Sequence, residues 1–191
     1  KKENANDGYL KVKNGKALCT AMDLRFGYGK GSNRYTIYQL IDKNDNIVGA
    51  QRIFKNGWTD KKGRTKNKAF IQGTLIKDPD SGLSLGTHAK VGEIGLDKPI
   101  VFVEGLADAS TAYKAKNYPV VICLSKDNMF DVVSDFLDKY PNRRFIIASD
   151  NDSYNHKKGN IGFVSCLDTS RKFNCEYILP SFVGLDVSTK P

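Results

Sequence analysis

No apolar run in this 191-residue chain is long enough to cross a bilayer, and no charged-then-apolar leader opens it, so membrane insertion is not expected. Cysteine is scarce. Cys19, Cys123, Cys166 and Cys175 show no CxxC spacing, which argues against a zinc site or a disulfide framework. Buried reduced thiols in a cytoplasmic protein are the expectation. The two histidines, His88 and His156, stand too far apart and too poorly accompanied for zinc, and suit surface or loop positions. There is no internal repeat and no low-complexity tract. The chain begins KKENANDG without methionine, as a piece cut from a longer protein would. Its length allows one domain, or a domain with a smaller lobe, around a substantial core.

What is present is charge, unevenly placed. The net charge is +9. Residues 1–77 hold 17 Lys/Arg against 6 Asp/Glu, whereas residues 78–191 hold 13 against 15. A basic front and a mildly acidic back suggest two tasks, the first being attraction of phosphate backbones. Ordinary solubility charge is the plainer alternative.

The back half alternates between strand and helix patterns. PIVFVEG (99–105), YPVVICLS (118–125), RFIIASD (144–150) and CEYILP (175–180) read as strands. Between them LADASTAYKAKN (106–117), KDNMFDVVSDFLDKYP (126–141) and NIGFVSCLDTSRKFN (160–174) read as helices. In the second helix Met129, Phe130, Val133, Phe136 and Leu137 fall at helical spacing. Such alternation implies an α/β fold, a central parallel sheet with right-handed crossovers. Runs apolar at every residue fit strands covered on both faces. The front half differs. YTIYQLIDKNDNIVGAQRIF (35–54) reads as a hairpin about residues 43–46, followed by a basic glycine-bearing loop at 55–70. FIQGTLI and SGLSLGTHA suggest further short strands or turns. We therefore expect a small, basic, strand-rich lobe over 1–95 and an α/β lobe over 96–191.

The acids stand at strand ends. Glu104 ends the first strand of the back half, and Asp150 and Asp152 end and follow the third. Ligands of open parallel sheets bind at the carboxyl ends of strands. Clustered oxygen-only donors favour a hard cation such as Mg²⁺ or Mn²⁺, which would also relieve the repulsion between two neighbouring aspartates. Turn-forming acids at a strand end remain the alternative.

EGLADASTAYKA (104–115) resembles the first signature of Toprim domains, and its E-G-x-x-D form, Glu104 to Asp108, looks like that of bacterial primases. ASDND (148–152) resembles the second signature, DxD. A lobe like YQLIDKNDNIVGAQRIFKNG before the glutamate, ICLSKDNM before a helix and YP, and N-x-G at Asn160–Gly162 are similar to the primase domains of conjugative plasmids and satellite phages. The likeness covers roughly residues 35–180. The tail departs from it, leaving Asp186 an uncertain match, and the chain contains neither a zinc-ribbon cysteine set nor a helicase.

The resemblance implies a Toprim fold and metal-dependent phosphodiester chemistry on nucleic acid, with ribonucleoside triphosphates joined on a single-stranded DNA template. A helicase or other domains of a longer replication protein would be partners. Glu104 would be the acid/base or would assist the metal, Asp150 and Asp152 would be ligands, and Asp108 an outer ligand. In such a primase, bound metal would lower the pKa of a 3′-hydroxyl and neutralise charge on the phosphates. A Toprim nuclease and a non-catalytic nucleic-acid-binding module are the competing readings. A topoisomerase would need a tyrosine on a separate domain, for which this chain has little room.

Arg52, Lys55, Lys62, Arg64, Lys66 and Lys68 of the basic stretch, with Lys157 beside the DxD, are the candidate phosphate contacts. Other readings stay open residue by residue. Asp108 also suits the first turn of a helix. Asn128 could touch substrate or cap its helix. RFGYGKGS (25–32) reads as a flexible turn rather than a phosphate loop. Trp58 could stack a base or pack against the hairpin.

Overall fold

The structure, a computed structural model, describes residues 21–29, 33–95, 97–151 and 160–180. Four strands form a first, antiparallel sheet in the order β1-β2-β3-β4: β1 Arg25–Tyr28, β2 Arg34–Ile41, β3 Ile47–Thr59 and β4 Thr65–Phe70. The turn between β2 and β3 is built by Asp42. Its carboxylate accepts from the Asn44 and Asn46 amides at 2.9 and 3.0 Å, while Asp45 takes the left-handed φ of 64°.

The stretch expected to be a basic loop is a second hairpin. Asp60 repeats the device of Asp42, accepting from the Lys62 and Arg64 amides at 2.9 and 3.0 Å, and Gly63 takes φ 72°. Lysine, asparagine and glycine weakened the strand pattern there, but cross-strand pairing with the apolar part of β3 overrides propensity. Likewise residues 25–28 of the expected flexible turn are strand β1, paired with β2.

The second sheet has the order β5-β7-β6-β8-β9. Its members are β5 Ala89–Val91, β6 Ile100–Val103, β7 Val120–Ile122, β8 Phe145–Ala148 and β9 Glu176–Ile178. β7, β6, β8 and β9 run parallel, and β5 joins the β7 edge antiparallel, so the sheet is mixed. β5 comes from the stretch assigned to the front lobe. An Ile41–His88 bridge ties it to the first sheet, where β2 ends. Helices α1 Leu106–Lys116, α2 Lys126–Lys139 and α3 Ile161–Phe173 connect the parallel strands.

β6 and β7 are buried along their whole length, and their alternate residues feed two cores. On one face Val101, Val103, Val120 and Ile122 meet Leu106 and Ala109 of α1 together with Tyr38, Leu40 and Ile53 of the first sheet. On the other, Ile100, Phe102, Val121 and Ile147 meet Met129, Val132, Val133 and Phe136 of α2 and Cys166 of α3. One core is thus shared by both sheets. Within α2, Val132 takes the buried place, while Phe130 is 41% exposed and lies against Phe173 with ring centroids 4.7 Å apart.

Cys123 and Cys166 are buried free thiols. Burial pushes Cys166 up to about 11 and raises Cys123 as well. Cys19 and His156 lie outside the described residues. His88 is not a surface residue. It is 2% exposed, packs its ring on Phe136 at 5.1 Å, and donates from Nδ1 to the Gly86 carbonyl at 2.7 Å. Among the described residues no helix is long and apolar enough to cross a membrane.

Candidate functional site

β6 and β8 are hydrogen-bonded neighbours running in the same direction, with Phe102 beside Ile147. Glu104 directly follows β6, and Asp150 follows β8 by one intervening serine. Both acids therefore leave the sheet at its carboxyl edge on adjacent strands, whose ordinary spacing is about 4.8 Å. Glu104 is half-buried and Asp150 exposed. The Glu104 carboxylate is felt on the other side too. Cys123 follows β7 and donates its amide to the Val103 carbonyl at 2.8 Å, and its thiol is raised by burial and then by the Glu104 charge.

Gly105 opens α1 as its N-cap in an extended conformation. Asp108, three residues on, accepts from the Gly105 amide through Oδ2 at 3.2 Å. This is the reciprocal half of a capping box, and the carboxylate also suits the positive end of the helix. Asp108 thus does structural work in the first turn while standing beside the strand-end acid.

Among the described residues, Lys68 is the cation of the basic hairpin that comes to this rim. Lys68 pairs with Ile53, a core residue, so it projects from the side of β4 turned toward the second sheet. Its ammonium is 3.4 Å from where a Cβ on Gly105 would stand, and Asp108 Oδ2 is 3.1 Å from the same point. The other candidate cations of residues 52–66 stay on the hairpin. Arg64 and Lys66 approach Asp60 at 2.7 and 3.7 Å, and Lys55 and Lys62 are exposed. Arg52 lies over the rings of Tyr35 and Phe54. Trp58 packs on Phe54 at 5.2 Å. Asp152, Lys157 and Asp186 lie outside the described residues.

Asn128 is neither the helix cap nor a group turned outward. Ser125 caps α2, its Oγ accepting from the Asn128 amide at 3.3 Å. The Asn128 carboxamide is 9% exposed. Its Nδ2 donates to the carbonyls of Thr87 and Cys123, both at 2.7 Å, and its Oδ1 accepts from Ser84 Oγ at 2.9 Å. The side chain ties the 84–88 segment to the end of β7. Nothing in the local spacing announces this role, because the partner segment lies about forty positions earlier.

The donor chemistry at the rim, oxygen only and carboxylate-rich, suits a hard divalent cation. Among the described residues, however, no group of three or more His, Cys, Asp or Glu stands together as a metal site. Asp150 alone of the DxD pair is described. Two aromatic residues passed over in the sequence, Tyr35 and Phe54, stand opposite each other across β2 and β3. Equal spacing either side of the 43–46 turn was the signal that could have found them. No family model matches the chain, and no curated protein matches it either.

Proposed function

We propose that this chain is a Toprim-type catalytic domain that joins ribonucleotides on a single-stranded DNA template, as a primase. The observation carrying this reading is the placement of Glu104 and Asp150 just past the carboxyl ends of adjacent parallel strands, with the Lys68 ammonium of the basic hairpin beside Gly105. The order β7-β6-β8-β9, with a glutamate after β6 and an aspartate after β8, supports the Toprim assignment.

Asp150 and Asp152 would hold Mg²⁺ or Mn²⁺, with Asp108 outside them. Bound metal would supply neutralisation of phosphate charge and a more acidic nucleophile. Glu104, half-buried beside the rim, would take or relay the hydroxyl proton. Lys68 would meet a phosphate oxygen next to the acids. Arg64, Lys66 and Lys62 would hold the backbone further along the hairpin, where one carboxylate, Asp60, faces several cations, and a cationic arm of this kind makes affinity strongly salt-dependent.

The test is primer synthesis on short single-stranded templates with NTPs and Mn²⁺, alongside calorimetric Mn²⁺ titration. Asp150→Asn should weaken Mn²⁺ binding strongly with the fold intact, and Glu104→Gln should lose most turnover while keeping most DNA affinity. Cleavage of the template in place of extension would transfer the same acids to a nuclease. Unchanged Mn²⁺ affinity in Asp150→Asn, or near-normal turnover in Glu104→Gln, would overturn the assignment.

A further inference from the structure

The first sheet has a second face, and its residues are not used at the acid rim. In the β2–β3 register Tyr35 stands opposite Phe54 and Ile37 opposite Arg52. These alternate with Thr36, Tyr38 and Ile53, which are buried toward the second sheet. Tyr35, Arg52 and Phe54 therefore point away from it. Tyr35 and Phe54 meet edge to face at 5.4 Å, and Trp58 adds a third ring, edge to face on Phe54 at 5.2 Å. The Arg52 guanidinium lies over Tyr35 and Phe54 at 5.5 and 5.6 Å from their centroids. β1 and the residue after it keep the rings close to the backbone. A Cβ on Gly27 would come within 2.6 Å of Tyr35, and one on Gly29 within 2.8 Å of Phe54.

Arg52 makes no hydrogen bond or ion pair among the described residues, and its Nε is buried without a partner. A guanidinium fixed on two rings has lost its rotamer freedom in advance and keeps a planar array of donors. Each of Tyr35, Arg52, Phe54 and Trp58 is only half-buried. Lys55, Lys62, Arg64 and Lys66 continue the positive charge along the same hairpin, with Asp60 as its one carboxylate between residues 51 and 77. On the other side of Arg52 the face runs into a groove of about 560 Å³ lined by Arg25, Ile37, Gln39, Ala50, Ile71 and Gln72.

Aromatic rings interleaved with cations on an open sheet suit single strands, whose bases are free to stack and whose phosphates need neutralising. A duplex hides its base faces and would gain little here. We propose that this face is a base-stacking platform for single-stranded DNA, with Trp58 and its neighbouring rings receiving bases and Arg52 holding the flanking phosphate. It lies on the side of the first sheet opposite the one from which Lys68 reaches the acids. The strand would thus be held on a surface distinct from the reactive edge. This inference rests on the nucleic-acid part of the reading above and not on its chemistry.

Trp58 is the single tryptophan, so its fluorescence reports this face directly. A 15-nucleotide single strand should quench it on binding. A fully abasic strand of equal length, with the same phosphates, should bind more weakly by about tenfold or more, one stacked base setting the lower bound, and leave the fluorescence unquenched. Arg52→Lys should lower affinity about tenfold with the salt slope unchanged, because charge is kept and the stacked plane is lost. Arg52→Ala should also flatten the slope by about 0.7. Lys172→Ala, on α3, should bind as wild type. Equal affinity for normal and abasic strands, binding without quenching, or no binding at all overturns the platform. The wild-type measurements decide this even where an Arg52 variant fails to fold. Quenching without primer synthesis would keep the platform and remove the polymerising reading. Primer synthesis without quenching would do the reverse.

Discussion

Replacing Asn128 with alanine removes three hydrogen bonds at once, two buried ones to the Thr87 and Cys123 carbonyls and a part-buried one from the Ser84 hydroxyl. A buried hydrogen bond contributes about 1 kcal/mol net, and a buried acceptor left without a donor costs at least that much. The loss should therefore be about 3 kcal/mol. For a chain of this size that corresponds to a Tm lower by about 6–12 °C. Urea unfolding and a thermal scan at pH 7 would measure it. Asn128→Asp should cost more than alanine at that pH, since it loses both N–H donors and turns a carboxylate toward two carbonyl oxygens. Its penalty should ease on acidification, because protonation removes the charge and restores one donor. A fall in Tm below 2 °C for the alanine variant would refute the idea that this side chain ties β7 and α2 to the 84–88 segment. A stable alanine variant with reduced nucleotide affinity would instead return Asn128 to the ligand-binding surface.

Burial lowers the pKa of His88 from its ordinary value, opposed by the Gly86 carbonyl it donates to, with smaller effects from Lys90, which lowers it, Asp45, which raises it, and Lys139, which lowers it. The unfolded chain then takes up a proton near pH 6.5 that the folded chain refuses. Stability should fall as pH drops below that point, by at most about 1.4 kcal/mol per pH unit, and level off below the folded pKa. Urea titrations between pH 7.5 and 5 in a His156→Gln background should show this, and an unchanged slope after adding His88→Gln would contradict it. Two glycines separate strain from crowding. Gly63→Ala places a side chain at φ 72° in open space and should cost about 1–2 kcal/mol. Gly86→Ala, at φ 59° with its new Cβ 2.1 Å from Asp135 Oδ2, should cost clearly more. Equal losses by denaturant unfolding would show that Asp135 swings aside freely. Lys68→Met should leave the fold intact and lower turnover more than Lys55→Met does, and equal turnover in the two would separate the hairpin from the rim.

The alternation of apolar runs with helical spacing determined by itself that the back half is strand and helix in turn, and the elements fall within three residues of their expected limits. That was legible because each depends on neighbours near in sequence: continuous burial in β6 and β7, a 3.6-residue stripe in α2, an αL asparagine closing α1 and α3. The β2–β3 hairpin was legible for the same reason, since Asp42 and Asn46 build their turn locally. Strand-end acids could likewise be named from the sequence. What tertiary structure decided is which distant groups meet. β5 enters the second sheet antiparallel, His88 is buried at the junction of the sheets, and Asn128 is spent on segments 41 and 44 positions away. Asp45 is fixed by Lys90 and Lys139 from two other elements. Lys68, one lysine among several in a polar run, is singled out because its register opposite Ile53 turns it toward Gly105 and not toward solvent on the far face. A period-2 strand shows which residues share a face. Which face is covered, and by what, depends on how two sheets pack, and that is set by long-range contacts no local pattern encodes.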